Sequence, residues 1–376
     1  MIRKSDVQWW VLEVKKHPES APAIIEELAE RLVELDTENE RLRAEIIRLQ
    51  RRAPTAAPRA EVQALQRKVE TLQTLLDADG AVEPSVVFLS DRLASSRLLL
   101  SQAQQMARQG RTTLDKRALL SLRCLLLARP QDELLLLTSQ GRGLKASLSD
   151  VPTLAEGTWP TAEGQGLVAG ERLSAALAVT ESPRFWTVAT RRGYVQRFVR
   201  AAFDRRLAQG DQLVRSPLRN DVPVAIVDGD RGDVLLVTRW GKAVRFSHRA
   251  IEGQGSVALN LEPDDEVVAA LSLPAEAEIL IVTAGGFAAR RDTTRFSARS
   301  RPGGAGRALI QAHDVLAAFP YSPEARLLYL TYAGRLAFVS IRDVPLQERA
   351  GKGTLLRDLS RDPAVAVVLV PEEFLQ

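Results

Sequence analysis

Short apolar runs that end in threonine, with a glycine three residues later, recur along most of the chain. One of them is VLLVTRWGKAVRF at 234–246, in which two apolar runs flank a glycine turn. Apolar runs on either side of a tight turn predict a β-hairpin. The threonine recurs at intervals of 52, 48, 45 and 48 residues, at Thr138, Thr190, Thr238, Thr283 and Thr331.

Each hairpin opens a longer unit. A glycine-bearing loop follows it and leads to another apolar run, as EGQGSVAL leads to EVVAALSL. A degenerate first copy lies 48 residues before Thr138, with Ser90 in the threonine place and Leu93 in the glycine place. Six units therefore fill residues 84–371. A period of about 40–50 residues with several short strands predicts a β-propeller or a close relative, because such sheets must stack on neighbours to bury both faces.

A different pattern, with apolar positions three and four residues apart, precedes the repeats. Such a heptad predicts that residues 1–80 form a coiled-coil dimerisation region. The polar Asn39 within the seam favours a parallel pair. A single amphipathic helix packed on its own domain is the alternative, and the prolines of RRAPTAAPRA at 51–60 indicate a linker. The predicted seam consists of Ile25, Leu28, Leu32, Leu35, Asn39, Leu42, Ile46 and Leu49.

The amino-acid composition limits which kinds of functional site the sequence predicts. The 376 residues include one cysteine, Cys124, and three widely separated histidines, so we expect no disulfide framework, metal site or cofactor. No stretch has the roughly 20 apolar residues of a membrane span, and the first 20 residues have no signal-peptide pattern. We therefore expect a cytoplasmic protein without a membrane partner.

The positive charge lies outside the heptad region. Residues 1–80 carry 13 Lys and Arg against 15 Asp and Glu, whereas residues 81–376 carry 38 against 32. Of those 38 basic residues, 34 are arginines. Guanidinium groups bind phosphate bidentately, which suggests a nucleic-acid partner, but biased codon usage explains an arginine excess equally well.

The repeated unit resembles a known domain. The form apolar–Thr–x–x–Gly–x–x–x–basic, the glycine loops and the VVAAL-like strands are similar to the C-terminal domain of the DNA gyrase A subunit and of its topoisomerase IV relative. DEVVAALSLPAEAEILIVTAGGFAAR at 265–290 shows the likeness best. The resemblance covers residues 84–371. It implies a mainly β fold, a six-bladed β-pinwheel, whose basic rim binds and bends duplex DNA.

Two departures from that family limit what the resemblance implies. The region 1–80 has no counterpart of the DNA-cleaving core, and the four tyrosines, Tyr194, Tyr321, Tyr329 and Tyr332, lie in or beside the repeats. We therefore expect no enzymatic activity. The glutamine- and arginine-rich gyrase box has no full match, since 300–307 and 348–353 keep the glycines with less charge. Binding and bending are thus expected more than tight wrapping.

Basic residues recur at fixed places in the repeat. Seven positions after the threonine or serine, five units have a basic residue and the sixth has Phe338. The resemblance implies that these residues face DNA phosphate, and pairing with a carboxylate of the next blade is the alternative. The five are Arg97, Lys145, Arg197, Arg245 and Arg290. Turn and loop residues form a second group, for which ordinary solvated charge is the alternative: Arg142, Arg191, Arg192, Arg239, Lys242, Arg111, Arg301, Arg307, Arg349 and Lys352.

The sequence therefore predicts a non-enzymatic protein that binds duplex DNA without sequence specificity. The coiled coil would present two discs, and the protein would organise the nucleoid or assist a topoisomerase. A protein-interaction scaffold is the alternative. The acidic run at 262–266 is interpreted as a turn without acidic counterparts in the other units.

Overall fold

The computed structural model describes residues 83–154, 164–230, 232–294, 296 and 298–375, together with His17, Pro22, Thr37 and Arg41. The chain divides into two compact units, Met1–Ala81 and Val82–Gln376. In the first unit Pro22, Thr37 and Arg41 are helical. The predicted seam from Ile25 to Leu49 and the linker at 51–60 lie outside the described residues.

The second unit contains all six predicted hairpins. The first strands end at the threonine or serine: β1 (Ser85–Ser90), β4 (Glu133–Thr138), β7 (Phe185–Thr190), β10 (Asp233–Thr238), β14 (Glu278–Thr283) and β18 (Arg326–Thr331). The second strands are β2 (Ser95–Leu99), β5 (Gly143–Ser147), β8 (Tyr194–Val199), β11 (Lys242–Ser247), β15 (Phe287–Asp292) and β19 (Leu336–Ser340).

The apolar run that ends each unit forms a third strand. These strands are β3 (Leu122–Ala128), β6 (Leu173–Val179), β9 (Pro223–Asp228), β13 (Val267–Leu273), β17 (Val315–Pro320) and β21 (Ala364–Val370). Three short fourth strands are β12 (Ser256–Val257), β16 (Arg307–Ala308) and β20 (Thr354–Leu355).

The strands form six antiparallel sheets within the described residues, in which the first strand of each hairpin is central. We number them sheet 1 to sheet 6 along the chain. The third strand pairs with one side of the first strand and the second strand pairs with the other, for example in the order β13-β10-β11-β16 in sheet 4. Each sheet therefore has its third strand at one edge and its second or fourth strand at the other.

The sheets are arranged in a ring. Successive third strands contact one another from β3 to β21, and β21 contacts β3 in turn. Clusters of buried apolar side chains lie between successive sheets, and one cluster joins Val86 and Phe88 of sheet 1 to Leu328 and Leu330 of sheet 6. A central cavity of about 410 Å³ is lined by the third strands and includes Cys124. The second and fourth strands therefore form the outer edge.

A segment of each unit crosses to the preceding sheet. These crossing segments, numbered 1 to 6, join the second and third strands of their units: residues 100–121, 148–172, 200–222, 248–266, 293–314 and 341–363. The fourth strand β16 of segment 5 pairs with β11 of sheet 4, and β20 of segment 6 pairs with β15 of sheet 5. Segment 1 closes the ring, because Thr112 bridges to Arg335 of sheet 6.

The recurrent threonine fastens the hairpin turn. Its buried hydroxyl accepts a hydrogen bond from the amide four residues later, at 3.1 Å from Arg142 N to Thr138 Oγ1 and 2.8 Å from Ala94 N to Ser90 Oγ. The turn glycine is required for two reasons. Gly334 has a φ of 76°, and a Cβ there would overlap the carbonyl oxygen of Leu114 on the crossing segment.

The first hairpin turn, which has no glycine, also has a positive φ and a close contact with the crossing segment. Leu93 has a φ of 62° although it is not a glycine, a conformation that costs free energy for a branched side chain. The crossing residue that lies against Leu93 is itself a glycine, Gly164, where a Cβ would be 2.5 Å from Leu93 Cβ. In this unit the glycine that permits the close approach is therefore on the crossing segment and not in the hairpin turn.

Among the described residues of the second unit, helices occur in crossing segments 1 to 4 and after β21. They are α1 (Leu100–Gln109), α2 (Lys116–Ser121) and α3 (Arg200–Gln209), with one-turn 3₁₀ helices at Leu148–Asp150, His248–Ala250 and Glu372–Phe374. Helices α1 and α3 end at Gly110 and Gly210 in the left-handed conformation. In the described part of the chain, no helix is both long and apolar enough to span a membrane.

Candidate nucleic-acid interface

The five basic residues seven positions after the threonine or serine share one place in the fold. Each lies on a second strand, opposite the middle of the first strand, as Arg245 lies opposite Leu235 and Arg290 opposite Leu280. Because both faces of each sheet pack on neighbours, this position points between sheets rather than towards open solvent. The individual contacts follow from that placement.

Arg245 is the extreme case, with 4% of its surface exposed. Its Nε donates to Asp233 Oδ2 at 2.7 Å, and another nitrogen donates to Thr293 O at 2.6 Å. A third nitrogen donates to the carbonyl oxygen of Ala275. The prediction that Arg245 faces DNA phosphate therefore does not fit this structure, because burial and internal hydrogen bonds occupy the guanidinium.

Arg290 and Arg97 bind the crossing segment of the next unit. Arg290 pairs with Glu278 at 2.6 Å, lies 4.0 Å from the Tyr321 ring centroid and donates to Val344 O at 3.4 Å. Arg97 donates to Val151 O at 3.0 Å, and burial lowers its pKa. Both side chains hold a crossing segment against the preceding sheet.

Arg197 and Lys145 complete the set. Arg197 stacks 3.8 Å from the centroid of Phe185 and donates to Gly229 O at 2.8 Å. Lys145 Nζ pairs with Glu133 at 2.9 Å, and its side chain is 44% exposed. Lys145 is therefore the member of the set that is most accessible to solvent.

The carboxylate partners reveal a signal that the sequence reading missed. Glu133, Asp233 and Glu278 each stand five positions before the threonine of their own hairpin. The predicted alternative, a carboxylate in the next blade, is therefore wrong for these three pairs. The acid lies on the same hairpin, diagonally across the two strands, whereas the next unit supplies backbone carbonyls.

Basic residues of the hairpin turns are tied to acids as well. Arg142 pairs with Glu171 at 2.6 Å, and Lys242 with Glu262. Burial opposes ionisation of Glu171, but hydrogen bonds from Arg142, Thr138 and the Val168 amide keep its pKa below the usual range.

The arginines in the hairpin turns of sheets 3 and 4 differ in their partners and in their exposure to solvent. Arg239 pairs with Glu266 at 3.2 Å. Arg191 donates to the carbonyl oxygen of Asn220 at 2.8 Å. Arg192 is exposed and forms no ion pair with any described residue. Of the predicted turn residues, Arg191 and Arg192 thus have no carboxylate partner among the described residues, and Arg192 is the more exposed of the two.

The acidic run at 262–266 does have counterparts, so the prediction that it has none is wrong. Asp265, Asp221 and Asp362 all precede a third strand and accept hydrogen bonds from turn amides. The distances are 2.8 Å from Arg192 N to Asp221 and 2.7 Å from Ala333 N to Asp362. These carboxylates fasten turns. No group of three or more metal-ligating side chains occurs among the described residues.

The loop residues form the most open group. Arg111, Arg301, Arg307, Arg349 and Lys352 all lie in crossing segments and all are exposed. Arg301, Arg349 and Lys352 form no ion pair with another residue of the described ranges. Because crossing segments lie along second strands, these charges lie at the outer edge of the ring.

The fold and these charges define a propeller-like disc of antiparallel sheets with basic loops at its edge. A family model described as the DNA gyrase C-terminal domain, beta-propeller, matches residues 132–155 and 232–274. The DNA gyrase A subunit of Haloquadratum walsbyi is 26% identical over 267 residues, which covers 64% of this chain and 30% of that subunit. That of Chlamydia pneumoniae is 25% identical, with 26% of it covered. The chain thus spans less than a third of these relatives.

Solved structures agree with the same fold. A DNA gyrase A C-terminal domain superposes with a TM-score of 0.64 at 18% identity, covering 77% of this chain and all of that domain. The C-terminal domain of a DNA topoisomerase IV gives 0.53 at 20% identity, covering 78% of this chain and 95% of that domain. The resemblance inferred from the repeats is therefore confirmed, and it is a resemblance to the C-terminal domain rather than to the DNA-cleaving core.

Proposed function

We propose that residues 84–371 form a six-bladed β-pinwheel that binds and bends duplex DNA through its phosphate backbone, without cutting it. The exchange of crossing segments around the ring supports the pinwheel. The following unit adds a fourth strand to sheets 3, 4 and 5 and a single backbone bridge to sheets 1, 2 and 6. The resemblance to gyrase A C-terminal domains supports DNA as the ligand.

One observation carries the proposal: the exposed basic side chains of the crossing segments. Arg301, Arg349 and Lys352 lie on loops at the outer edge and form no ion pair within the described part of the chain. Such side chains contact phosphates, which fix position but do not read sequence.

Salt dependence tests this function. We expect the full chain to bind a fluorescently labelled duplex of about 40 base pairs whatever its sequence. The logarithm of affinity should fall linearly with that of salt concentration, by about 0.9 per phosphate neutralised. Failure to bind at low salt, or a marked preference for one sequence among several of equal length, would contradict the proposal.

The coiled coil of residues 1–80 is proposed as the dimerisation region. Aspartate at two seam positions, Leu28→Asp with Leu35→Asp, should halve the mass in sedimentation equilibrium, because buried charges oppose the seam. Glu38→Ala, off the seam, is the control. Loss of the pair should also weaken DNA binding, since two linked discs bind bivalently. A wild-type chain that sediments as a monomer would refute the dimer.

A scaffold function is the second candidate, and a specific observation favours it. Three of the five recurrent basic residues form ion pairs with carboxylates of their own hairpins: Arg245, Arg290 and Lys145. These pairs reduce the positive potential available to DNA. A disc that bound a protein partner with little salt dependence, and no DNA, would support this alternative. We also propose a cytoplasmic, nucleoid-associated location and a topoisomerase partner, because the relatives named above are topoisomerase subunits.

A further inference from the structure

The outer edge of the ring is not uniformly charged. Counted over whole crossing segments, the net charges of segments 1 to 6 are +3, −3, +2, −4, +3 and +1. Segments 5, 6 and 1 are thus all basic, whereas segments 2 and 4 are acidic. Segment 3 is basic but stands between the two acidic ones.

The three basic segments are neighbours only because the ring closes. Segment 5 lies on sheet 4, segment 6 on sheet 5 and segment 1 on sheet 6. Along the chain, residues 293–363 and 100–121 are far apart. In the ring they form one continuous stretch of outer edge, which we call the basic arc. Its twelve described lysine and arginine side chains are all exposed.

The acidic segments differ from the arc in a second way, because their carboxylates neutralise nearby basic residues. Glu171 of segment 2 binds Arg142 of sheet 2. In segment 4, Glu262 and Glu266 bind the basic side chains of the sheet 4 hairpin, Lys242 and Arg239. In the basic arc, Arg342 pairs with Glu324, whereas Arg301, Arg349 and Lys352 have no such partner among the described residues.

A buried positive charge lies beneath the arc. Arg291 is 7% exposed and lies on the same face of β15 as Ala289, which packs against sheet 4. Its NH1 nitrogen has no hydrogen-bond partner, and NH2 donates to Glu348 O at 3.3 Å. Burial, and secondarily the charge of Arg307, lower its pKa. The Arg307 side chain is on segment 5, so two arginines lie near each other at the junction of sheets 4 and 5.

We propose that duplex DNA follows the basic arc, over the outer edges of sheets 4, 5 and 6. The path ends where the acidic segments 4 and 2 lie, on sheets 3 and 1. This inference rests on the proposed DNA-binding function. It commits the path to about half of the ring, crossing the point at which the last unit meets the first.

A pair of charge-matched variants tests the arc. The arc variant replaces Arg111, Arg301, Arg349 and Lys352 by alanine. The control replaces Arg205, Arg215, Arg219 and Arg249 by alanine, exposed residues of segments 3 and 4. Each loses four charges, so net charge affects both equally. We expect the arc variant to bind a 40-base-pair duplex about 10- to 100-fold more weakly at 150 mM salt and to lose up to about four units of salt slope.

The control should change affinity less than about threefold. Equal losses in both variants would overturn the arc but leave DNA binding intact, whereas no binding by the wild type would overturn both proposals. Unfolding curves verify that both variants are folded.

A positional measurement is independent of affinity. A DNA-cleaving iron chelate attached to A305C, on segment 5, should cut bound duplex, and one attached to S149C, on segment 2, should cut it far less. Burial raises the pKa of the native Cys124 to about 12, so its protonated thiol labels slowly at neutral pH. Equal cutting from both positions would contradict the arc.

Discussion

The second strands and the crossing segments carry the same residue type in two different roles. On the second strands, Arg245, Arg290 and Arg97 lie between sheets and donate to carboxylates and carbonyls. On the crossing segments, Arg301 and Arg349 are exposed. A recurring arginine therefore marks a recurring place in the fold. That place determines whether the charge is paired inside the protein or is accessible to a ligand.

Removing a strand-borne arginine should have the largest effect. Arg245→Met leaves Asp233 and two carbonyls without their donor in a site that is 4% exposed. Breaking a buried pair in this way costs about 3–5 kcal/mol of unfolding free energy. Urea unfolding measures the loss. Arg301→Met, on the exposed loop, is the control and should change stability by less than about 0.5 kcal/mol. Similar losses for the two would erase the distinction.

Acidic pH should lower the stability of the protein through a histidine that is buried between two sheets. His248 is buried between Thr187 of sheet 3 and Ser272 of sheet 4. Burial, and then the charge of Arg197, lower its pKa to about 4. Below its unfolded pKa of about 6.5, the unfolded chain binds the proton and the folded one does not. Stability should therefore fall by up to about 3 kcal/mol as the pH drops from 6.5 to 4.

The variant His248→Gln separates this effect from general acid denaturation. It should flatten that part of the pH profile, because the glutamine amide does not titrate. A wild-type profile that matches the variant over the same range would show that His248 does not contribute.

Replacing a turn glycine should have the next largest effect on the free energy of unfolding. Gly286 has a φ of 87°, and a Cβ there would overlap the carbonyl oxygen of Arg357 on segment 6. Gly286→Ala should cost about 2–3 kcal/mol, from backbone strain and displacement of the segment. Gly351, where a Cβ meets no atom within 4 Å, is the matched control. Thermal unfolding of both variants distinguishes a specific contact from a general effect of adding a methyl group.

The sequence predicted what is local and repeated. The six hairpins and third strands follow from apolar runs, glycines and a regular interval. Even Leu93, in a turn without glycine, was placed in the right unit. The crossing of segments to the preceding sheet was not predicted, because pairing between units depends on which edges meet in the ring.

The candidate site was predicted less well for the same reason. The positions of basic residues were visible, but their partners are non-local, as Val344 O is for Arg290. The diagonal acids such as Glu278 recur five residues before the threonine in three units, so this signal is visible in the sequence. The acids that fasten the turns, such as Asp221 and Asp362, recur visibly too.

Lys145 combines features of the second strands and of the crossing segments. It occupies the strand-borne place, yet its side chain is 44% exposed and its partner Glu133 is 59% exposed. An exposed pair contributes less than about 1 kcal/mol, so Lys145→Met should barely change urea unfolding. It lies on sheet 2, away from the basic arc, so DNA affinity should also change less than about twofold. Lys352→Met is the matched loop variant and should weaken DNA binding more, with equally little effect on stability. If Lys145→Met instead weakens DNA binding as much as Lys352→Met, exposure rather than position around the ring decides which basic residues contact DNA.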